Sequence, residues 1–306
     1  MKIAVVGSYG VGLTMRVPRM PAPGETLSDG AFDEGHGGKG SNQAIAAARL
    51  GASVSFFTAV GSDGYGAAAK QLWKQEGVDA DHVVVVEGAA TMVGVILVEP
   101  SGENRIVIAP GALDALDATA VEAFRDEIAS ADILVVSMEI PLDAVAAALR
   151  IGREEGTRTL LNPAPAQRLP DEVWQDIDVV TPNQSEAPVL LGLDVDHGHD
   201  DGELVARLVA RSGASVVLTR GQAGALLASE DRVTVIDAVT VEDVVDTTGA
   251  GDSFTAALAV GLAAGASPVE AARSAARAAA HTVTIAGVIP ALPTRADLAL
   301  PIGADR

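Results

Sequence analysis

Short runs of β-branched and aliphatic residues alternate with helical segments along almost the whole chain. That alternation limits the possible folds more than any other feature of the sequence. The strand-like runs are 3–7, 54–60, 133–137, 159–162, 179–181, 216–219 and 225–228. Helix-like segments lie between or after them, near 41–50, 64–77, 117–130, 143–155, 201–212, 252–264 and 268–284. Strands too apolar to keep one wet face, each followed by a helix, predict a mostly parallel sheet covered by helices on both sides. The last long helix has a clear start. Ser267 is a good N-cap, Pro268 falls at the first helical position, and Glu270 completes a capping box.

Two regions break the alternation. Residues 12–35 and 91–109 carry shorter, more polar strand patterns: LTMRV, ETLSDGAFDE, TMVGVILVE and NRIVIA. Pro and Gly punctuate them, and SGEN reads as a hairpin turn. They predict a small β-sheet, discontinuous in sequence and contiguous in space. A sheet of that size is marginal alone, so it should pack on a substrate, a second subunit or both.

Composition narrows the partners. With 306 residues, 48% of them apolar, the chain can bury a large core. A net charge of −20 argues against nucleic acid or an anionic membrane as partner. It leaves room for a small anionic ligand, which answers to local fields. There is no cysteine, hence no disulfide framework and no thiolate chemistry. Met1 leads straight into KIAVVG, a first core strand, with neither a signal-type apolar run nor a membrane-spanning stretch. The expected location is the cytoplasm.

Four stretches can carry chemistry. In VVDTTGAGDSFTAAL, residues 244–258, Gly249, Ala250 and Gly251 precede a helix expected from about Asp252. Free amides at a helix start attract anions, and glycines let a ligand approach the backbone. Asp252 would either accept a proton from a hydroxyl beside that anion or simply cap its helix. GHGGKGSNQAIAAARLGA, residues 35–52, formally matches G-x-G-x-x-G, with Asp63 downstream. A dinucleotide fingerprint must open the turn directly after a core strand. Here polar SDGAFDE precedes it, and the turn after the first strand, GSYGVG, has the wrong glycine spacing. Nor is it a P-loop, because Lys39 is followed by Gly40. What remains is a glycine loop whose backbone, with Lys39 and Asn42, could grip a polyol, or a tight turn into a packed helix. In VTPNQSEA, residues 180–187, Asn183 and Glu186 are spaced to share one helical face. They would hold a hydrated Mg²⁺ through waters or merely start a helix. LTRGQAGA, residues 218–225, is a strand followed by a glycine turn.

Taken together these segments resemble the ribokinase-like, or PfkB, family of carbohydrate kinases. GGKGSNQA (37–44), SMEIP (137–141), LNPAPA (161–166), TPNQSEA (181–187), TRGQAG (219–224) and DTTGAGDSF (246–254) follow in the family's order, and the first and third look most like its ribokinase branch. The resemblance implies one ribokinase-like three-layer αβα kinase domain over residues 1–306 with a small β-sheet lid. It implies Asp252 as general base and Gly249, Ala250 and Gly251 as the anion hole for the transferring phosphoryl group. Gly37, Gly38, Lys39, Asn42 and Glu139 would meet the sugar. Asn183, Thr219, Gly221, Gly224 and Gly251 would meet ATP, and Glu186 its Mg²⁺ through water. Asp246, with the backbone around Thr248, Thr282 and Gly287, would hold a monovalent cation, usually K⁺. The lid would close over the sugar and pair two subunits into a homodimer.

The match departs at two places. Ribokinases usually read G-S-x-N-x-D after the first strand, and here Gly10 and Gly12 stand at the Asn and Asp positions. A site that loses a hydroxyl's partner loses affinity, so either Tyr9 or Arg16 substitutes or the sugar differs from D-ribose. Ala291 stands where many ribokinases have a hydroxyl near the cation. Rival readings are a phosphosugar kinase, using Arg16, Arg19, Lys39 or Arg105, a nucleoside kinase, and a catalytically silent sugar sensor. His197, His199 and His281 read as surface or packing histidines, and Trp73 and Trp174 as core.

Overall fold

The computed structural model describes residues 1–299 except Gly102, Asp196, His197 and Asp231. The glycine of the SGEN turn and His197 therefore lie outside the described residues. The strands are β1 (Lys2–Val6), β2 (Gly10–Arg16), β3 (Ala31–Gly37), β4 (Ser53–Phe57), β5 (Ala59–Gly61), β6 (Val78–Asp79), β7 (Val84–Val86), β8 (Val93–Val98), β9 (Asn104–Ala109), β10 (Ile133–Ser137), β11 (Arg158–Asn162), β12 (Val179–Val180), β13 (Ser215–Thr219), β14 (Ala225–Ser229) and β15 (Arg232–Ile236). The α-helices are α1 (Lys39–Arg49), α2 (Gly64–Gln75), α3 (Ala118–Glu122), α4 (Arg125–Ala129), α5 (Leu142–Glu155), α6 (Glu186–Leu191), α7 (Asp201–Ser212), α8 (Ala250–Ala263), α9 (Pro268–Thr282), α10 (Val288–Ala291) and α11 (Arg295–Ala299).

A 9-stranded sheet runs β15-β14-β13-β12-β11-β10-β1-β4-β6. From β6 to β13 every pairing is parallel, and the β13–β14 and β14–β15 pairs are antiparallel. Alternate residues of one strand feed two cores. Ile3 and Val5 of β1 join α1, α2, α8 and α9 on one face, and Ala4 and Val6 join α3 to α7 on the other. This is the predicted three-layer αβα arrangement. Each fully buried aliphatic side chain contributes roughly 1.5–3 kcal/mol, so the two apolar layers hold the strands in register. The α8–α9 contact is especially close: a Cβ on Gly261 would sit 3.0 Å from Ala271 Cα. The capping box predicted for α9 forms as read.

Where the structure differs, side-chain packing decides. The 54–60 run splits at Thr58: β4 stays in the main sheet while β5 pairs with β7. The 117–130 segment is two short helices, because Phe124 turns inward between them and stacks on Phe57 at 5.1 Å. Strand β15 was not expected, and α6 starts at Glu186, where the Asn183–Glu186 pair offered a helix start. The last long helix, α9, stops at Thr282, not 284.

The small sheet has order β3-β2-β8-β9. Its strands fall largely within the predicted 12–35 and 91–109, but β2 begins at Gly10 and residues 25–30 form no strand. Asp63 anchors its second half. The carboxylate accepts from Thr91 N (2.8 Å), Thr91 Oγ1 (2.6 Å) and Gly66 N (2.9 Å), so it caps α2 and fixes the chain entering β8 together. Among the described residues no helix is long and apolar enough to cross a membrane.

Candidate active site

The residues picked out by the motifs gather at or just beyond the C-terminal ends of β1, β10, β11, β12 and β13, where open α/β sheets place their ligands. Asp252 lies on α8, which starts at Ala250 after Gly249 with φ 81. Asp252 is thus the third helical residue and not the cap. Its side chain, 6% exposed, turns to α1: Asn42 Nδ2 donates to Oδ2 at 2.8 Å and Gln43 Nε2 to Oδ1 at 3.0 Å. Burial pushes the Asp252 carboxyl above its ordinary range, while Lys39, Asn42 and Gln43 pull against that. A raised carboxyl is a better proton acceptor from an alcohol.

Lys39 opens α1. Burial lowers its pKa, but Asp252, Glu139 and Glu186 around it leave it raised overall, so it stays a cation. Glu139 accepts from Lys39 N at 3.1 Å and from Ser8 Oγ at 2.5 Å, tying the β1, β10 and α1 ends together. Gly38 must be glycine: its φ is 89, and a Cβ would lie 2.5 Å from Tyr9 Cα. Gly37 is open, with only Gly10 O near, at 3.8 Å.

At the start of α8, Ala250 N is taken by Thr247 O and Ser253 N by Gly249 O. The amides of Gly251 and Asp252 have no helix carbonyl to reach. A Cβ on Gly251 would meet nothing within 4 Å. Gly249 is tighter: a Cβ there would lie 3.0 Å from Val288 Cγ1. Two free amides at the positive end of a long helix suit an anion.

Asn183 and Glu186 do meet, as a mutual cap. Asn183 Oδ1 accepts from Ser185 N, Ser185 Oγ and Glu186 N, and Glu186 Oε2 accepts from Asn183 N. Asn183 Oδ1 is therefore spent, and a cation would find Glu186 alone. One carboxylate that leaves Mg²⁺ its waters is an adequate donor set for that ion. Burial raises the Glu186 carboxyl, against the Asn183 amide and Lys39. Thr219 bridges to Asn183 from the end of β13. Gly221 (φ 54) is open, whereas a Cβ on Gly224 (φ 80) would strike Ile236 O and crowd Ala238 N. Gly224 thus also serves the passage of the chain after β15.

Asp246 accepts from Thr248 N at 2.9 Å and Gly287 N at 3.1 Å. Burial would raise its carboxyl, but the Thr248 and Gly287 bonds, with Arg16, hold it below the ordinary range. An ionised carboxylate fixed by two loop amides suits a monovalent cation. Thr282, expected to contribute its backbone here, has its carbonyl accept from Ile285 N, while its hydroxyl donates to Ala278 O (3.1 Å) and lies 2.7 Å from Ser253 Oγ. Among the described residues no cluster of three or more His, Asp or Glu forms a metal site.

Sequence reasoning missed Ser8, Gln43 and Asn162 as site residues. All lie inside quoted motifs, but their partners are 131, 209 and 119 positions away. Tyr9 does not replace a lost sugar contact; it is 0% exposed, packs edge-on to Trp73 and bonds His36 Nδ1 at 2.7 Å. Gly10 and Gly12 lie on the opposite side of β2 from Tyr9 and Val11. A Cβ on Gly10 would strike Met92 Cε and lie 2.9 Å from Met92 O, so the Met92 side chain occupies that space. Gly12 pairs with both Gly35 and Gly94, a row of three glycines in register. Arg16 shares that face and is near enough to act on Asp246.

Residues 1–295 match the model of the pfkB family of carbohydrate kinases. The chain is 37% identical over 295 residues to a ribokinase of Haemophilus influenzae, covering 96% of each. It is 35% identical over 256 residues to a deoxyribokinase of Salmonella typhi, covering 83% of each. Among solved structures, Arabidopsis thaliana ribokinase complexed with ribose and ATP superposes with a TM-score of 0.91 at 29% identity, covering 97% of each chain. The sheet order, the strand-end cluster and these likenesses agree, and the chain belongs to the pfkB family of carbohydrate kinases, on its ribokinase branch, as a phosphotransferase with an alcohol acceptor.

Proposed function

We propose that this kinase transfers the γ-phosphoryl group of ATP to a hydroxyl of a small neutral sugar, with Asp252 as the general base. The observation that carries the reading is the buried Asp252 carboxylate, oriented by two amide donors at the start of α8 beside two uncommitted amides. Asp252 takes the hydroxyl proton as the oxygen attacks. The open amides of Gly251 and Asp252, at the end of the Gly249–Ala250–Gly251 turn, receive the charge that spreads over the transferring phosphoryl oxygens. Lys39, Gly37, Gly38, Asn42 and Glu139 form the polar floor for the sugar. Asn183, Thr219, Gly221 and Gly224 line the nucleotide side. Mg²⁺, held through water by Glu186, supplies further charge neutralisation when bound. K⁺ at Asp246, with the backbone around Thr248, Thr282 and Gly287, would brace the loop ahead of α8.

The small sheet acts as a lid that keeps water from the phosphoryl group. Its other face exposes Phe32, Val95 and Val107, at 60%, 44% and 71%. Two of these, Val95 and Val107, are directly paired. We assign that apolar face to a second copy of the chain in a homodimer. Chromatography with light scattering, wild type against Val107→Glu, tests it, and a monomeric wild type would sink it. A kinase of this kind works where ATP and free sugars are, in the cytoplasm.

The positions of the cations favour a neutral acceptor over a sugar phosphate. Of the four cations a sugar phosphate would need, Arg19 is bound to Glu25, Lys39 is surrounded by carboxylates, Arg105 pairs with Leu97 on the face away from Gly12, and Arg16, which shares the Gly12 face, acts on Asp246. A nucleoside finds no aromatic ring on the Gly12 face, since Phe32 pairs with Met15 on the other side. ADP release from ATP–Mg²⁺ across pentoses, deoxypentoses, hexoses, tetroses, polyols, nucleosides and sugar phosphates, with and without K⁺, tests the reading. Turnover with a neutral sugar that is lost in Asp252→Asn supports it. ATP binding without turnover on any acceptor would leave the sensor reading in its place.

A further inference from the structure

Gln43 is 1% exposed and follows Asn42 on α1. Its Nε2 lies 3.0 Å from Asp252 Oδ1 and 3.0 Å from Asn162 Oδ1. A carboxylate only accepts, so the NH₂ group must face Asp252; the reversed amide would aim its oxygen at two acceptors. Both hydrogens of that nitrogen are then committed. Gln43 Oε1 is left buried with no partner among the described residues. An orphan acceptor is destabilising, so the amide is held by what its nitrogen does.

Asn162, at the end of β11, continues the chain of contacts. Its Nδ2 points to Thr181 O and Oγ1 at 3.4 and 3.5 Å, and Thr181 Oγ1 lies 3.3 Å from Thr255 Oγ1. Thr255 is one turn beyond Asp252 on α8. The path from α8 through Asp252, Gln43, Asn162 and Thr181 therefore closes back on α8.

We propose that Gln43, oriented by Asn162, is the positioning residue of the base: it sets the rotamer of the Asp252 carboxylate from the side opposite the Asn42 contact. This rests on the reading of Asp252 as the base. A donor to the carboxylate also favours its anion. The charged groups acting on Asp252 are Lys39, which favours the anion, and Glu139, which opposes it; Glu186 faces the same lysine. Losing the Gln43 donor should therefore raise the proton affinity of Asp252 while leaving the sugar floor in place.

The test is Gln43→Met, of similar volume with no donor, in the full chain. It is assayed by ADP release from ATP–Mg²⁺ with the best acceptor of the panel above. We expect kcat to fall at least about tenfold, KM for acceptor and ATP to stay within about threefold, and the acid limb of kcat to move to higher pH. Asn162→Ala should shift the limb in the same direction by less. A folded Gln43→Met variant with wild-type kcat and acid limb overturns the proposal. If that variant does not fold by circular dichroism, an unmoved acid limb in Asn162→Ala overturns it. Absence of any acceptor-dependent ADP in the wild type would instead bring down the kinase reading, and this proposal with it.

Discussion

Around Asp252 the polar side chains hold one another: Asn42 and Gln43 on the carboxylate, Asn162 behind Gln43, and Ser8 with Lys39 N on Glu139. On the facing side of the small sheet the corresponding positions near its root are Gly10, Gly12, Gly35, Gly37 and Gly94, joined by Met92 and Ile108. One surface is buried and pre-paired; the other is nearly bare backbone. The difference teaches where recognition resides. On the function proposed above, hydroxyls of the acceptor are met from the floor, because the root of the small sheet has no hydrogen-bonding side chain to give. On that same function, the small sheet contributes closure and the exclusion of water. A strand glycine weakens its strand and often marks close approach of a ligand or backbone, which fits a lid that shapes space.

The largest break in that contrast comes from the floor. Asp252→Asn should lower kcat by about 10²- to 10⁴-fold, as loss of a general base does. Its stability should move the other way. A carboxyl whose pKa is raised by folding binds a proton more readily in the native state, so the fold gains stability as pH falls through the interval between the unfolded and folded values, and is penalised above it. Asparagine cannot ionise, and the orphan Asn42 Oδ1 can turn to accept from it. We expect a melting temperature at pH 7 no lower than wild type, with a flatter pH dependence, by calorimetry from about pH 4, near the unfolded value, upward to neutral pH.

Next is the hinge between the two surfaces. Gly38→Ala adds a Cβ 2.5 Å from Tyr9 Cα at a φ of 89. Such backbone strain costs about 1–3 kcal/mol before the collision is counted. A melting temperature lower by at least about 4 °C is expected, with activity lost alongside it.

The third prediction sharpens the contrast within the lid. Gly10→Asn must displace Met92, and overpacking of that kind costs about 1–3 kcal/mol. Gly12→Asp meets only Ile96 Cδ1 at 3.6 Å and Gly35 O at 3.8 Å. It should stay within about 0.5 kcal/mol of wild type in urea unfolding. It should lower KM for D-ribose relative to wild type, because it restores a hydroxyl partner on a bare surface. Equal destabilisation by the two substitutions would show that the lid face is not as open as its glycines imply.

The smallest effect is at acid pH. The Asp63 carboxylate ties α2 to the strand entering β8. Burial raises its pKa, but the bonds from Thr91 and Gly66 hold it below the ordinary value overall. Its contribution is present above the unfolded pKa and is lost as pH falls through the folded one. Asp63→Asn should therefore cost about 1–2 kcal/mol at pH 7 and progressively less as pH approaches the acid limit, read by urea unfolding at each pH.

The αβα architecture was legible because apolar strand runs and amphipathic helices carry their own period, and because caps such as Ser267–Glu270 are written locally. The glycine motifs marked the right loops for the same reason: a positive φ at Gly38 or Gly249 is a demand of the local backbone. Other features had no local signature. Nothing near Thr58 announces that β5 leaves the main sheet, and nothing near Phe124 announces the break between α3 and α4, because Phe57 makes it. Likewise Gln43 and Asn162 became part of the site only when β11 and α8 brought their partners across more than a hundred residues. The sequence by itself determined which backbone segments could bend, cap and bury. Tertiary structure alone decided which polar groups meet, since a hydrogen bond depends on position in space and separation along the chain does not enter its energy.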